Sequence, residues 1–170
     1  MSEAINSTLW REAMGGFLTG VTVVTTCAGE KIAGTAVNAF SAVSQDPPLL
    51  LVCLDRGSRS LTEIRRSGVF AVNILSDAHQ ELVHRFASKS AEDRFRDVAY
   101  TARTTGAPIL EDSVSWFDCE VFTIYEGGDH EIVVGRVREL GSDTSATPLA
   151  YHRGNVWSLA SATEGLEKSA

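Results

Sequence analysis

The sequence predicts a mainly β fold, an antiparallel barrel with short helices at its rim. Runs of β-branched and apolar residues recur along the chain between glycines and prolines, which is typical of strands joined by turns. The runs mostly follow one another directly, so few segments are left for the crossover helices of a parallel sheet. The 170 residues, 44% of them apolar and 22% charged, have the size and composition of one globular domain. We therefore predict a single domain over residues 1–170, ordered from about residue 7 to about residue 160.

The first predicted element is a helix over residues 7–18. Asn6 or Ser7 can cap its start, and Gly20 is placed to end it. Its apolar residues follow the i, i+4, i+5, i+8 spacing of one helix face: Leu9, Ala13, Met14 and Phe17.

Three strands are predicted next. The β-branched run Val21–Thr26 forms the first, and Lys31–Asn38 forms the second after a break at Gly29. Proline lacks the N–H that a strand ladder needs, so the third strand begins after Pro47–Pro48. This strand, Leu49–Leu54, is apolar throughout, which predicts burial on both faces.

A helix and a strand follow. Ser60–Glu63 has the S-x-x-E spacing of a capping box and should open a helix that Gly68 ends. The apolar run Val69–Leu75 then predicts a return to strand.

Two further helices and a loop are predicted in the middle of the chain. The first helix starts at a cap on Ser76 or Asp77 and ends near Phe86. Ser90–Asp93 should start a short second helix. Residues 97–112, with a glycine and a proline among polar residues, predict a long loop.

The last third of the chain predicts two strand pairs. Ser113–Tyr125 and His130–Leu140 should form a hairpin through Gly127–Asp129, and another strand pair flanks Gly154–Asn155. The tail Ser161–Ala170 is small and charged and is expected to fray. The total is seven or eight strands with three or four short helices.

Charge and cysteine usage exclude several classes of protein. The net charge of −7 argues against a nucleic-acid surface and against binding to an anionic membrane. Cys27, Cys53 and Cys119 form no CxxC pair and are odd in number, which predicts buried thiols in a reducing compartment and no metal site. The start of the sequence lacks a signal-peptide pattern, and the longest apolar run, Pro47–Leu54, is too short to span a bilayer. We predict a cytoplasmic protein.

Several familiar catalytic and binding motifs are missing. The sequence contains no G-x-G-x-x-G for a Rossmann nucleotide site and no G-x-S-x-G nucleophile. Gly15–Gly20 has the glycine spacing of a P-loop without its lysine, so it predicts no phosphate loop. His79 and His84 are five residues apart, which places them on different faces of a helix. They therefore cannot bind one metal ion as an i, i+4 pair would.

Four segments place polar residues at strand ends. Gly34–Ser44 combines small hydroxyls, an amide and glycine, which suits a planar heterocycle or a phosphate but also a serine-rich turn. Cys53–Ser60 leads from a strand into a helix start with serines and arginines, which suits an anion site or a capped surface helix. Gly128–His130 and Tyr151–Gly154 are turns whose polar groups, taken alone, are more often structural than functional.

Together, these segments resemble the flavin reductases of two-component monooxygenases, whose fold is the FMN-binding split barrel. Matching pieces occur in the family's order over roughly residues 10–160: Thr19–Thr26, Gly34–Pro48, Cys53–Ser60, Ser67–Leu75, Arg85–Lys89, Gly127–His130 and Pro148–Gly154. Each piece alone is a weak signal, whereas their common order and consistent gaps are specific. The resemblance implies a split β-barrel, Greek-key-like and antiparallel, in a homodimer with the flavin near the subunit interface.

The resemblance also implies which residues bind the flavin. The isoalloxazine and ribityl chain would be held, mostly through backbone groups, by Gly34, Thr35, Ala36, Val37, Asn38, Ser41 and Ala42. Family members often carry a serine where Ala42 stands, so a contact there would come from the backbone alone. The phosphate side would be held by Cys53, Leu54, Asp55, Ser58, Arg59 and Ser60, with a helix N-terminus at Ser60. The residues expected to close over the flavin are Phe86, Ala87, Ser88 and Lys89.

The same resemblance implies the chemistry. Hydride passes from nicotinamide C4 to flavin N5, so the protein has to stack two rings about 3–3.5 Å apart and exclude water. His130, Tyr151 and Arg153 would face the nicotinamide nucleotide, with His130 as the catalytic residue. NADH is expected rather than NADPH because no basic cluster lies beside these residues, whereas FAD and FMN are both compatible. Reduced flavin would leave for a separate flavin-dependent monooxygenase.

Two alternatives remain open at this stage. One is a split-barrel module that binds flavin or haem without turnover. The other is a split-barrel oxidase with its own small substrate, although the chain shows no basic cluster dedicated to clamping a phosphate. His130 and Arg153, as nucleotide-facing residues, favour the reductase.

Overall fold

The computed structural model describes residues 5–88 and 93–159. Within these residues lie three α-helices, α1 (Ser7–Gly15), α2 (Arg59–Ser67) and α3 (Gln80–Ala87), and a 3₁₀ turn over Asp77–His79. The strands are β1 (Thr19–Gly20), β2 (Thr22–Ala28), β3 (Lys31–Val37), β4 (Phe40–Gln45), β5 (Pro48–Asp55), β6 (Val69–Ile74), β7 (Tyr100–Ala102), β8 (Pro108–Leu110), β9 (Ser115–Gly127), β10 (His130–Ser142), β11 (Leu149–His152) and β12 (Asn155–Ser158).

Seven strands form one antiparallel sheet in the order β3–β2–β6–β9–β10–β5–β4. Its two edge strands, β3 and β4, are joined by only Asn38 and Ala39. A flat sheet of this width would hold its edges roughly 29 Å apart, whereas that connection bridges at most roughly 11 Å. The sheet must therefore curl until its edges nearly meet. This open barrel, split between β3 and β4, confirms the predicted mainly β split-barrel class.

Both faces of the sheet are covered where β2 runs through it. Val23 and Val24, neighbours on β2 that point to opposite faces, are both fully buried. One face packs against Leu61 and Ile64 of α2, and the other packs against α3, whose Phe86 is fully buried. Two smaller sheets, β1–β11–β12 and β7–β8, complete the described fold.

Helix α1 starts as predicted but ends early. The Asn6 side chain caps it by accepting the N–H of Thr8 at 2.8 Å. The helix ends at Gly15, where Gly15–Gly16 disfavours helix, and not near the predicted Gly20. None of its residues is buried in the described chain, and its apolar side chains Leu9, Trp10 and Met14 are at least half exposed.

The predicted capping box at Ser60–Glu63 is wrong. Helix α2 starts earlier, with Ser58 as its N-cap residue and no capping hydrogen bond from that side chain. Ser60 therefore lies inside the first turn, 1% exposed. Gly68 ends the helix as predicted, with φ 73° and its N–H donating to Ile64 at 2.8 Å.

The edge of the barrel differs from the sequence prediction. Strand β5 begins at Pro48 and alternates: Leu50, Val52 and Leu54 are buried, whereas the residues between them are partly exposed. Burial on both faces was therefore the wrong expectation, because the described chain leaves one face of this strand uncovered. Strand β4 was not predicted at all, since the serine-rich segment Phe40–Gln45 lacks a strong β-branched pattern.

Residues 97–112 are not simply a loop, because they contain β7 and β8. Asn73 of β6 holds β8 in place. Its side chain accepts the N–H of Leu110 at 2.8 Å and donates to Val23 at 3.1 Å, and all three residues lie in the core. A contact across 37 residues has no local sequence signal.

The other predicted elements are largely confirmed. The long hairpin is β9–β10, turning at Gly128–Asp129, and the last strand pair is β11–β12, turning at Arg153–Gly154. The helix predicted near Phe86 is capped at Ser76 but begins as the 3₁₀ turn. For the helix predicted at Ser90–Asp93, Asp93 lies in no helix and the rest falls outside the described residues, as does the tail predicted to fray.

The three cysteines are unpaired thiols that differ in burial. Cys119 is fully buried, whereas Cys27 and Cys53 are only partly buried, so the expectation of three buried thiols holds for Cys119 alone. Burial raises the pKa of all three thiols, which keeps them protonated at neutral pH. None of the helices in the described part of the chain combines the length and apolarity needed to span a membrane.

His79 should make the stability of the protein depend on pH. The ring is buried, with Nε2 donating to the carbonyl of Glu111 at 2.8 Å and Nδ1 accepting the N–H of Ser76 at 3.3 Å, which requires the neutral form. Burial lowers its pKa, partly offset by the Glu111 hydrogen bond and the charge of Asp112. The unfolded chain therefore binds a proton first as pH falls below the ordinary value of about 6.5, so this contribution to stability is full above that value and declines below it.

The measurement is urea unfolding of wild type and His79→Gln at about pH 7.5 and about pH 5.5. The stability advantage of wild type over the variant should shrink at the lower pH. His84→Gln, which removes an exposed histidine of α3, serves as the matched control. An advantage that stays the same at both pH values would contradict the prediction.

Candidate active site

A cleft of about 210 Å³ lies at the corner where the barrel splits. We call it the central cleft, and its lining residues are Val21, Ala36, Val37, Asn38, Val83, Ala87 and Tyr151. Five of them were predicted to bind flavin or nucleotide. Mostly apolar walls with one amide and one phenol suit a planar ring that carries a few polar atoms.

A second and larger cleft, about 830 Å³, opens between α1 and the β11–β12 turn. We call it the helix cleft, and it is lined by Trp10, Arg11, Glu12, Met14, Gly15, Asn38, Tyr151, Arg153 and Gly154. It shares Asn38 and Tyr151 with the central cleft, so the two clefts adjoin. Two guanidinium groups and two aromatic rings around one cleft suit a nucleotide, which offers phosphates and flat bases.

Arg153 occupies a strained position in the helix cleft. It forms the β11–β12 turn with Gly154, at φ 49° and 81°, where asparagine followed by glycine is the favoured pair. Its backbone N–H donates to the carbonyl of Gly15 at 3.0 Å, which ties the turn to α1. An arginine with positive φ costs about 1 kcal/mol or more, and such strain is concentrated at functional sites.

A third cleft, about 370 Å³, follows strand β3 past the N-terminus of α2. We call it the edge cleft, and its lining is strongly charged: Lys31, Ile32, Ala33, Gly34, Arg59, Ser60, Glu63, Asp93, Arg94 and Phe95. The Ser60 hydroxyl is buried here and has no hydrogen-bond partner among the described residues. A buried hydroxyl without a partner, close to a guanidinium at a helix start, is chemically suited to an anion.

Arg94 fixes the geometry of the edge cleft. Its guanidinium donates to the carbonyl of Gly34 on β3 and to the carbonyl of Ser88 just after α3. Gly34 itself is required for packing against α3, because a Cβ there would lie 2.6 Å from the ring of Phe86. Burial, and then the charge of Arg59, which lines the same cleft, lower the pKa of Arg94.

The predicted catalytic His130 lies on the barrel rim, outside the lining of these three clefts. It is the first residue of β10, opposite Asp55 at the end of β5. The N–H of Cys53 donates to Ala39 at 3.0 Å, so the end of β5 borders the barrel corner. From strand spacing, His130 is roughly 12 Å from Ala39. Its Nδ1 donates to Asp129 at 2.8 Å, and this hydrogen bond holds the pKa of Asp129 below its usual range.

Several predicted residues are placed away from the clefts. The side chains of Leu54 and Phe86 are buried in the core, so either residue could touch a ligand only through its backbone. Ser41 is exposed on β4, and Ala42 lines a separate apolar groove described below. Thr35 lies on β3 between the central and edge clefts, Ser58 is the residue that precedes α2, and Lys89 falls outside the described residues.

Other cleft residues were missed by the sequence analysis. Val21 and Val83 gave only a core signal, and Trp10 gave only the signal of an amphipathic helix. Arg94 had no signal, because it meets Gly34 across 60 residues of chain. The apolar face of α1 was the one available hint in the sequence. This hint is ambiguous, because a helix that packs on the core would show the same pattern.

Comparison with known proteins agrees with this geometry. Residues 14–160 match the flavin reductase like domain. The chain is also similar to a flavin reductase of Pseudomonas putida, with 40% identity over 158 residues that make up 92% of each protein.

Two solved structures share the fold. Nitrilotriacetate monooxygenase component B from Mycobacterium thermoresistibile superposes with a TM-score of 0.86 at 37% identity, covering 92% of this chain and 88% of that one. The NADH:FAD oxidoreductase of Streptomyces globisporus C-1027, solved with NAD and FAD fragments, gives 0.84 at 29% identity and covers 92% and 96%. With the domain match extending over most of its length, this chain belongs to the flavin reductase like domain family.

Proposed function

We propose that the protein is an NADH:flavin oxidoreductase that transfers hydride from NADH to FAD or FMN and releases the reduced flavin to a separate monooxygenase. The observation that carries this proposal is the meeting of two clefts at Asn38 and Tyr151, with a third, charged cleft farther along strand β3. Such an arrangement suits two nucleotides whose rings meet in the middle. The Streptomyces relative, solved with NAD and FAD fragments, supports the same assignment.

The chain's residues fit a flavin. Ala36, Val37, Asn38 and Ala87 would hold the ring in the central cleft, and the phosphate would lie at Arg59 and Ser60 in the edge cleft. The phosphate would then supply the partner that the buried Ser60 hydroxyl lacks in the described chain. Gly34 lies between the two ends and presents its backbone on β3.

NADH would enter from the helix cleft. Tyr151 borders both clefts and would orient the nicotinamide, while Arg153 would bind a phosphate of the dinucleotide. His130, oriented by Asp129, would contact the nucleotide from the barrel rim. NADH is oxidised and the flavin is reduced, with one proton taken from solvent to balance the hydride, so the protein needs to supply position rather than a nucleophile.

The partner follows from the chemistry and from relatives. The central cleft is small and is occupied by the two rings in this proposal, so an organic substrate for oxygenation would need another protein. The mycobacterial relative is named as one component of a monooxygenase, which supports a separate oxygenase that consumes the reduced flavin. We expect the exchange to take place in the cytoplasm, where the unpaired thiols would stay reduced.

Turnover should depend on added flavin. Purified protein given NADH should show little loss of the nicotinamide absorbance until FAD or FMN is added. The rate should then rise with flavin concentration and saturate. Flavin binding without NADH oxidation would instead favour the non-catalytic module, and an absence of both binding and turnover would overturn the flavin assignment.

We also propose a homodimer. Two apolar surfaces of the described chain lack a partner, the outer face of α1 and the groove beside β4, which is lined by Phe40, Val43, Leu49, Phe117, Val137 and Leu140. Val43 and Leu140 are about half exposed there. A second copy would cover this area and close the uncovered face of β5.

Light scattering should give a mass of twice 18.3 kDa for wild type. Leu140→Asp should shift the protein towards the single-chain mass, because it places a charge in the apolar contact. Glu139→Lys, next to it and on the opposite face of β10, is the matched control and should leave the dimer intact. A wild-type protein that is monomeric and fully active would contradict this proposal.

A further inference from the structure

Resting on the proposed function, we propose that Arg94 is a positioning residue that sets the width of the central cleft. Two elements form most of the walls of this cleft. Strand β3 contributes Ala36 and Val37, and helix α3 contributes Val83 and Ala87. Arg94 does not line the cleft, and it acts on the flavin ring by holding the two walls at a fixed spacing.

Two hydrogen bonds join the guanidinium group of Arg94 to the two walls. Nη1 donates to the carbonyl of Gly34, which lies two residues before Ala36 on β3. Nη2 donates to the carbonyl of Ser88, the residue that follows Ala87 at the end of α3. Two residues of strand span roughly 7 Å, so both hydrogen bonds lie close to the site of the ring. Each terminal nitrogen is therefore bonded to one wall.

Both carbonyls lie where regular secondary structure has few donors left. Strand β3 is at one end of the seven-stranded sheet, so one side of its backbone has no neighbouring strand in the described chain. Ser88 directly follows α3, and the last carbonyls of a helix have no donor within the helix. The helix dipole also favours a cation at this end. A forked guanidinium group is well suited to bridge two such carbonyls.

Packing holds the segment around Arg94 in place. The ring of the next residue, Phe95, meets Phe86 of α3 edge-on, with ring centroids 5.2 Å apart. A Cβ on Gly34 would lie 3.1 Å from Phe95 and 2.6 Å from Phe86, so both rings pack closely against this glycine. Apolar packing is not directional, whereas hydrogen bonds require a defined distance and angle. Arg94 therefore adds the directional restraint between β3 and α3.

The spacing of the walls matters for the chemistry, because hydride transfer needs the two rings about 3–3.5 Å apart. A looser cleft would bind the flavin ring more weakly and would place it less accurately. Loss of Arg94 should therefore raise the flavin Kd and lower kcat. A residue that only contacted the flavin phosphate would instead change the affinity for phosphorylated flavins alone.

Riboflavin separates these two roles, because it has the ring and ribityl chain of FMN but no phosphate. In fluorescence titrations without NADH, Arg94→Gln should weaken riboflavin and FMN by the same factor, about tenfold or more. Arg59→Gln, which removes a proposed phosphate contact, should weaken FMN alone. Arg96→Gln is the matched control and should change neither affinity, since it removes an exposed arginine of the same segment that pairs with Asp93.

Kinetics and a conservative variant complete the test. At saturating FMN and NADH, kcat of Arg94→Gln should fall about tenfold, while KM for NADH changes less than about twofold. Arg94→Lys keeps the charge but lacks the fork, so it should recover part of the riboflavin affinity. Urea unfolding without flavin shows whether each variant is folded.

The outcomes distinguish this inference from the proposed function. An Arg94→Gln variant that weakens FMN but not riboflavin, or that binds both as wild type does, would overturn the inference and leave the proposed function standing. If Arg94→Gln does not fold, Arg94→Lys decides in the same way, because a loss of affinity for FMN alone would overturn the inference. Wild type that binds neither riboflavin nor FMN would overturn the proposed function itself.

Discussion

Replacing Arg153 with asparagine is expected to lower kcat/KM for NADH by about 10- to 150-fold while making the protein more stable by about 1 kcal/mol. The loss follows from removing a charge-assisted contact with the dinucleotide in the helix cleft. The gain follows because asparagine tolerates the positive φ of 49° that arginine adopts at a cost. The backbone hydrogen bond to Gly15 is kept, so the turn itself should not move.

Opposite changes in activity and stability separate a binding role from a structural one. Steady-state kinetics against NADH at saturating flavin should show the effect mainly in KM, and urea unfolding should show the gain. Arg138→Asn, which removes an arginine of β10 that is paired with Glu120 and lies outside the lining of the three clefts, is the control for loss of a surface arginine. Unchanged kinetics in Arg153→Asn would return this residue to a purely structural role.

His130→Ala gives the companion measurement. Because His130 is proposed to place the nicotinamide ring, its loss should act chiefly on kcat rather than on KM, with flavin affinity nearly constant. Asp129→Asn, which removes the carboxylate that orients the imidazole, should show a weaker effect of the same kind. A His130→Ala variant with wild-type kinetics would place the catalytic contribution elsewhere.

Replacing Asn73 with alanine should destabilise the protein by about 3 kcal/mol, a large fraction of the stability of a small domain. The side chain is fully buried and links three strands through Val23, Thr25 and Leu110. Alanine would leave the buried N–H of Leu110 without its acceptor, and each such group costs about 1–3 kcal/mol.

Urea unfolding measures the effect, and the control is Asn155→Ala. Asn155 is exposed and makes a single hydrogen bond to Arg153, so its loss should cost well under about 1 kcal/mol. A fall of less than about 1 kcal/mol in Asn73→Ala would show that water or a shifted β8 satisfies the freed groups.

The sequence predicted most strands of the barrel, for a physical reason. Runs such as Val21–Thr26 and Val69–Leu75 are β-branched and apolar because each strand is buried in the sheet, and composition alone identifies them. Strand β4 lacked that composition because it lies at the edge of the barrel. Strands β7 and β8 are three residues each, and β8 is held by a hydrogen bond to the distant Asn73. No local sequence pattern therefore predicts them.

The candidate site was predictable where its residues are consecutive and not where the fold assembles them. Ala36, Val37 and Asn38 line the central cleft because they form one strand end. Arg94 reaches Gly34 across the structure, and the missing partner of Ser60 appears only once α2 is known to start at Arg59. The S-x-x-E spacing predicted that the Ser60 hydroxyl caps a helix. In the structure this hydroxyl instead lacks a partner, and that makes it informative about the site.

The claim that flavin is a substrate, bound and released in each cycle, can be tested by anaerobic reduction of excess flavin. Under anaerobic conditions, a small amount of protein is mixed with a large molar excess of FAD or FMN. NADH is then added in steps while the flavin absorbance is followed. We expect one flavin to be reduced for each NADH oxidised, until nearly all of the flavin in solution is reduced. Reduction that stops at one flavin per protein chain, or that does not occur, would contradict the account.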